Sequence, residues 1–134
     1  MLKVLITSDS RYPVNRKIIK KAVGEVINEA GFGKMDLEVS VAIVGSRKMQ
    51  TLVKKYMDDG QDHSVLSFGL EELEERGGGG FVNAPSDTLL LGDIILCWPK
   101  VVLEAAKADV MVDEKVAELT SHSTLHLLGK HHGD

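Results

Sequence analysis

A chain of 134 residues with 43% hydrophobic and 27% charged residues has the length of one ordinary domain and the composition of a globular protein. Wholesale disorder, a collagenous repeat and a coiled coil do not fit it. The formal net charge of −4 argues weakly against nucleic acid as a partner, but it is unevenly spread: residues 1–57 hold eleven Lys/Arg against five Asp/Glu, a net of +6, and residues 58–134 hold five against fifteen, a net of −10.

The segment Met1 to Asp9 has one early cation, a very short apolar run and no small-residue cleavage site, so it reads as a strand rather than a signal peptide. After the breaker Arg11-Tyr12-Pro13, the residues Val14, Ile18, Val23, Val26, Ile27 and Ala30 recur at helical spacing up to Gly31 and Gly33. Leu37, Val39, Val41 and Ile43 then alternate with Glu38, Ser40 and Ala42, the period of a strand with one face on a core. Ser46 can cap a second helix with Met49, Leu52, Val53 and Tyr56 on one face, closed by Asp58-Asp59-Gly60. Arg16, Lys17, Lys20, Lys21 on the first helix and Arg47, Lys48, Lys54, Lys55 on the second could grip a phosphate backbone, although each group taken alone reads as a solvated helix face.

Val65 to Phe68 is a short strand. Residues 69–87 read as a flexible acidic and glycine-rich excursion, because the run Gly77 to Gly80 is costly to fix and lacks the Lys-Ser/Thr ending of a phosphate-binding loop. Leu89 to Cys97 resumes as a strand whose nearly continuous hydrophobicity implies burial on both faces, which makes Asp93 an anomaly that needs a partner or a site. Pro99 can start a third helix running to about Asp109, and Asp113 a fourth containing Val116, Leu119 and Leu125. Charged residues interrupt every apolar stretch well short of a bilayer span of about 20 residues. Cys97 is the only cysteine; it excludes an internal disulfide, suits a small buried hydrophobe and points to a reducing, cytoplasmic compartment. These elements predict one α+β domain over 1–134, a small mixed β-sheet of about four strands covered by four or more helices.

Four of the five histidines fall at the carboxy terminus: His122, His126, His131 and His132. His122 and His126 lie four apart on a predicted helix, so both imidazoles project from one face and can reach one ion. Gly129 can adopt the left-handed conformation that stops a helix, which would turn the chain back and offer His132 as a third nitrogen. Three histidines leave one coordination position open, the mark of a catalytic rather than a structural metal; zinc suits the set best, and nickel or copper would also satisfy it. The spacing matches the metal helix of metzincin peptidases, but the residue after the first histidine, a glutamate base in that motif, is Ser123 here, and a hydroxyl cannot act as that base near neutral pH.

The run His122-Ser123-Thr124-Leu125-His126-Leu127-Leu128-Gly129-Lys130-His131-His132 resembles the His-Gly-x-Leu-His-Leu-x-Gly-Tyr-Asp-His signature of the YbeY family of bacterial endoribonucleases. Val65-Leu66-Ser67-Phe68 and Leu91-Gly92-Asp93-Ile94 match two further landmarks of the family in the right order. The resemblance implies an α+β domain and a metal-dependent, single-strand-preferring ribonuclease acting in ribosomal RNA processing and ribosome quality control, with the ribosome or its proteins as partners. It places the metal on His122, His126 and His132. Lys54, Lys55 and Arg47 would then bind RNA phosphates, with Asp93 shaping the cleft from behind the ligands. The family also places an arginine directly after a tyrosine; here Tyr56 is followed by Met57, and the family's Pro-Thr-Asp is replaced by Asp62-His63-Ser64. A thioether cannot neutralise a phosphate, so the rival readings are a catalytically weakened ribosome-associated factor and, less favoured, a zinc peptidase.

Overall fold

In the computed structural model the residues described are 1–69 and 88–131. In chain order they form β1 (Leu2–Ser8), α1 (Arg16–Glu29), β2 (Leu37–Val44), α2 (Ser46–Tyr56), β3 (Val65–Gly69), β4 (Leu89–Cys97), α3 (Trp98–Ala108) and α4 (Val112–His131). The strands make one sheet in the order β1-β2-β4-β3; β1, β2 and β4 are parallel, and β3 runs antiparallel along the outer side of β4. This is the mixed four-stranded α+β arrangement that the sequence implies. The expected excursion falls almost wholly outside the described residues; its first residue, Gly69, belongs to β3 and pairs with Gly92.

Strand alternation splits the interior in two. Leu37, Val39, Val41 and Ile43 of β2 join Leu91, Ile94 and Leu96 of β4 in a core closed by α1, α3 and α4 through Ile19, Val23, Ile27, Val101, Val116 and Leu127. The other face carries Ile95 and Cys97 of β4 with Leu66 and Phe68 of β3, covered by Met49, Val53 and Tyr56 of α2. Tyr56 packs on Phe68 with ring centroids 4.9 Å apart, which ties α2 to the outer strand. β4 lies between β2 and β3, and its buried run from Leu91 to Cys97 is the consequence of having a core on each side. Cys97 is fully buried, as its composition-level reading anticipates.

Three local expectations differ from the structure. Val14 precedes α1 in a turn, its N–H donating to the Tyr12 carbonyl, and Asn15 caps the helix by accepting from the amides of Lys17 and Ile18. Ser46 is the first residue of α2, not its cap; that place is taken by Gly45, where a Cβ would collide with the Tyr12 hydroxyl. Gly129 does not stop the last helix, which continues to His131. One glycine costs a helix only about 1 kcal/mol relative to alanine, and no proline follows to end the hydrogen-bond ladder.

Gly92 is the tightest point of the sheet. An extra β4 residue at this position shifts the register against Glu38 and Val39 of β2. The backbone adopts φ +146°, and a Cβ would run into the Phe68 carbonyl oxygen and approach Leu127 of α4 to 3.0 Å. Glycine here lets β3 and the end of α4 close on β4. Gly92→Ala is expected to lower unfolding free energy by about 2–4 kcal/mol in urea titration; a change within about 0.5 kcal/mol would contradict this close approach.

Candidate functional site

The orientation of α4 is set by the side chains it buries. Val116, Thr120, Ser123, Thr124, Leu127 and Leu128 are all buried, one stripe at helical spacing, and the helix packs along α1 and over β3 and β4. Thr124 Oγ1 donates to the Thr120 carbonyl at 2.8 Å, so a polar stripe can enter the core. His122 and His126 fall outside that stripe and are exposed, with ring centroids 4.9 Å apart and planes at 66°. Two imidazoles that share a tetrahedral ion at about 2.0–2.1 Å from each nitrogen have centroids about 5 Å apart, so the separation of the pair is compatible with one shared ion. Neither ring hydrogen-bonds a described residue.

His132 lies outside the described residues. Because α4 runs to His131, a third nitrogen reaches the pair only if the chain turns directly after that residue. Among the described residues, no group of three or more His, Cys, Asp or Glu could hold a metal ion. Ser123 is buried in the core stripe, so the position of the metzincin base is not presented to solvent at all.

The structure does not bring Asp93 to the histidine pair. β4 turns it to the Ile95 and Cys97 face, whereas Leu127 of α4 packs on the face of Ile94 and Leu96. Asp93 is 6% exposed, sits opposite Ser40 and Phe68, and its Oδ1 has no hydrogen-bond partner among the described residues. Burial, reinforced by the Glu38 carboxylate, pushes its pKa up to about 6.

Arg47, Lys54 and Lys55 are exposed on α2. Arg47 borders a groove at the start of α2 shared with Arg11, Tyr12 and Lys48, and Lys54, about 10 Å further along the helix axis, borders a second cleft that runs back along α2 to Ser46. Lys55 lies over the Tyr56 ring, 5.1 Å from its centroid. The second cleft, about 340 Å³, is also lined by Gln50, Gln61, His63 and Lys100, none of which the sequence reading placed in a site. The available signal was the Asp58-Asp59-Gly60 turn: a sharp reversal after a helix brings the following residues back against it. Asp58 and Gly60 both have positive φ there. Asp59 accepts from the Gln61 amide and from His63 Nε2 at 2.8 Å, and these bonds hold its carboxyl below the usual carboxylate range.

The family model for endoribonuclease YbeY matches residues 6–134. The chain belongs to the YbeY endoribonuclease family. It is 37% identical over 117 residues to endoribonuclease YbeY of Mycobacterium ulcerans, covering 82% of this chain and 64% of that protein. With the YbeY of Mycolicibacterium smegmatis it shares 34% identity over 99% of this chain and 73% of the relative, and with that of Clavibacter michiganensis 31% over 99% and 84%. The chain thus spans just under two thirds of the first of these YbeY proteins and more of the other two. Against the YbeY pattern, Met57 closes α2 at 45% exposure, so the position is open to solvent although the arginine is absent.

Asp93 gives this member of the YbeY family a measurable pH signature. The folded-state value of about 6 lies above the ordinary 3.8. The native state therefore binds the proton more tightly than the unfolded chain, and this contribution to stability is full below about pH 4 and is lost as pH rises through about 6. Asp93→Asn is expected to raise stability near pH 7.5 by up to about 3 kcal/mol and to flatten the decline across that window in urea melts. Equal pH dependence in the two proteins would contradict it.

Proposed function

We propose that this chain is a zinc-dependent endoribonuclease that cleaves single-stranded RNA, in the processing and quality control of ribosomal RNA. The observation that carries the reading is the exposed His122–His126 pair, set at the spacing one ion requires on a helix whose other face is core. His132, brought back by a turn after His131, would complete a three-imidazole set with an open corner. Zinc there supplies Lewis acidity and an activated water for attack on a phosphodiester. Lys54, Lys55 and Arg47 would hold the strand through its phosphates along α2, whereas Asp93, turned away from the histidine pair, takes no part in this site. Membership of an endoribonuclease family supports the reaction class. No described helix is long and apolar enough to cross a membrane, and the single buried Cys97 suits a cytoplasmic setting beside the ribosome.

Met57 favours a second reading, a ribosome-associated factor with weakened cleavage, because an exposed thioether offers no charge to a phosphate. Peptide hydrolysis is disfavoured by the burial of Ser123. The readings separate in one assay on single-stranded RNA. Zinc-loaded wild type is expected to cut, His126→Ala to lose about 100-fold or more of the rate, and Met57→Arg to gain about tenfold or more at its exposed position. Absence of cutting in both wild type and Met57→Arg, with metal bound, would sink the nuclease and leave the binding factor.

A further inference from the structure

The cleft beside Lys54 has a lining that the metal reading does not use. Its floor is apolar: Met49 and Val53 of α2 with the buried Cys97 at the end of β4. Side-chain amides stand on its walls, Gln50 on α2 and Gln61 in the following turn. The ring of His63 also faces it, fixed by Asp59 through Nε2, and its other nitrogen has no hydrogen bond to a described residue. Of the two lysines, Lys100 is already committed to Asp62 at 2.7 Å. Lys54 has no carboxylate within ion-pair distance among the described residues. The first turns of α2 and α3 also border the cleft, through Ser46 and Lys100, and among the described residues neither helix has a side-chain cap, so two positive helix ends face a lining that also holds the Asp58 carboxylate.

We propose that this cleft is a subsite for one nucleotide of a single-stranded RNA, an inference that rests on the nuclease reading for its macromolecular substrate but not on the metal. A base has flat apolar faces, which soft sulfur-containing and aliphatic side chains cover, and donor–acceptor edges, which carboxamides and an imidazole match. At about 340 Å³ the cleft lies at the small end of ligand sites, room for one nucleotide and not for a folded helix. Lys54 at its border meets the phosphate as a point charge. Asp58, also on the border, accepts from a ribose hydroxyl, a group that deoxyribose lacks at the 2′ position. The subsite therefore takes a ribonucleotide in preference to a deoxyribonucleotide, and an amphipathic planar guest in preference to phosphate alone.

The test is a titration of the full chain, stripped of metal by chelation, with AMP, dAMP, adenosine and inorganic phosphate, followed by backbone amide NMR. AMP at millimolar concentration is expected to shift the amides of Lys54, Gln61 and His63, to bind several-fold tighter than dAMP, and to be matched by neither adenosine nor phosphate. Lys54→Ala should weaken AMP about threefold to tenfold while leaving adenosine unchanged. Gln50→Trp, at an exposed position that tolerates a large side chain, should fill the cleft and abolish both. Unshifted cleft amides in wild type, or shifts confined to α4, would overturn the subsite. Cleavage of RNA by a protein whose cleft takes no AMP would do so and leave the nuclease standing. AMP bound in the cleft of a protein that cuts nothing would support the subsite and overturn the nuclease.

Discussion

The rotational setting of α4 about its own axis is the constraint on which the rest depends. Leu127 and Leu128 enter the core with Val116, and the small side chains of Thr120, Ser123 and Thr124 let the helix lie close to its neighbours. A helix advances about 100° per residue, so this stripe fixes where every other side chain of α4 points. His122 and His126 have no freedom to turn away: burying them would expose the leucines, at about 1.5–3 kcal/mol for each. The requirement carries a cost in polar burial. Thr124 returns its hydroxyl to the backbone, whereas Thr120 Oγ1 is buried without a partner among the described residues. Gly92 belongs to the same arrangement, since any side chain there would push Leu127 and β3 away from β4.

The sheet separates two chemistries. On the side of α1, α3 and α4 the interior is closed by aliphatic packing, and the histidines stand on the outer surface of that layer. On the side of α2 the cover is shorter, and the polar cleft opens between α2, the turn after it and the start of α3. Asp93 belongs to this second side, where no described residue neutralises it and Glu38 adds repulsion. The positive half of the sequence supplies α1 and α2 with their exposed lysines, while the end of α4 supplies the imidazoles.

Period-based features were legible from the residues alone. The alternation of Leu37 to Ile43 and the nearly continuous run Leu89 to Cys97 identify a strand with one face on a core and one buried on both faces, and the structure has them there. The histidines at i and i+4 meet as helical geometry requires. What escaped depends on partners distant in sequence. Gly45 takes the cap position because Tyr12, over thirty residues earlier, occupies the space of its Cβ. Strand order had no local signal, since β3 enters the sheet outside β4 rather than beside β2. Gly129 has the composition of a stop without its conformation, because a glycine inside a well-packed helix costs too little to end it. The cleft joins residues 46–63 with 97–100, and as a lone histidine His63 gave no periodic sign of its fixed position against Asp59.

The account stands on three imidazoles from one short stretch of chain converging on one cation. X-ray absorption spectroscopy on the zinc-loaded protein, with metal content measured on the same sample, addresses that directly. One zinc per chain, with imidazole scattering at about 2.0–2.1 Å that corresponds to three rings in wild type and two in His132→Ala, is the predicted result. A protein that retains no zinc, or a wild-type spectrum indistinguishable from that of His132→Ala, would contradict it.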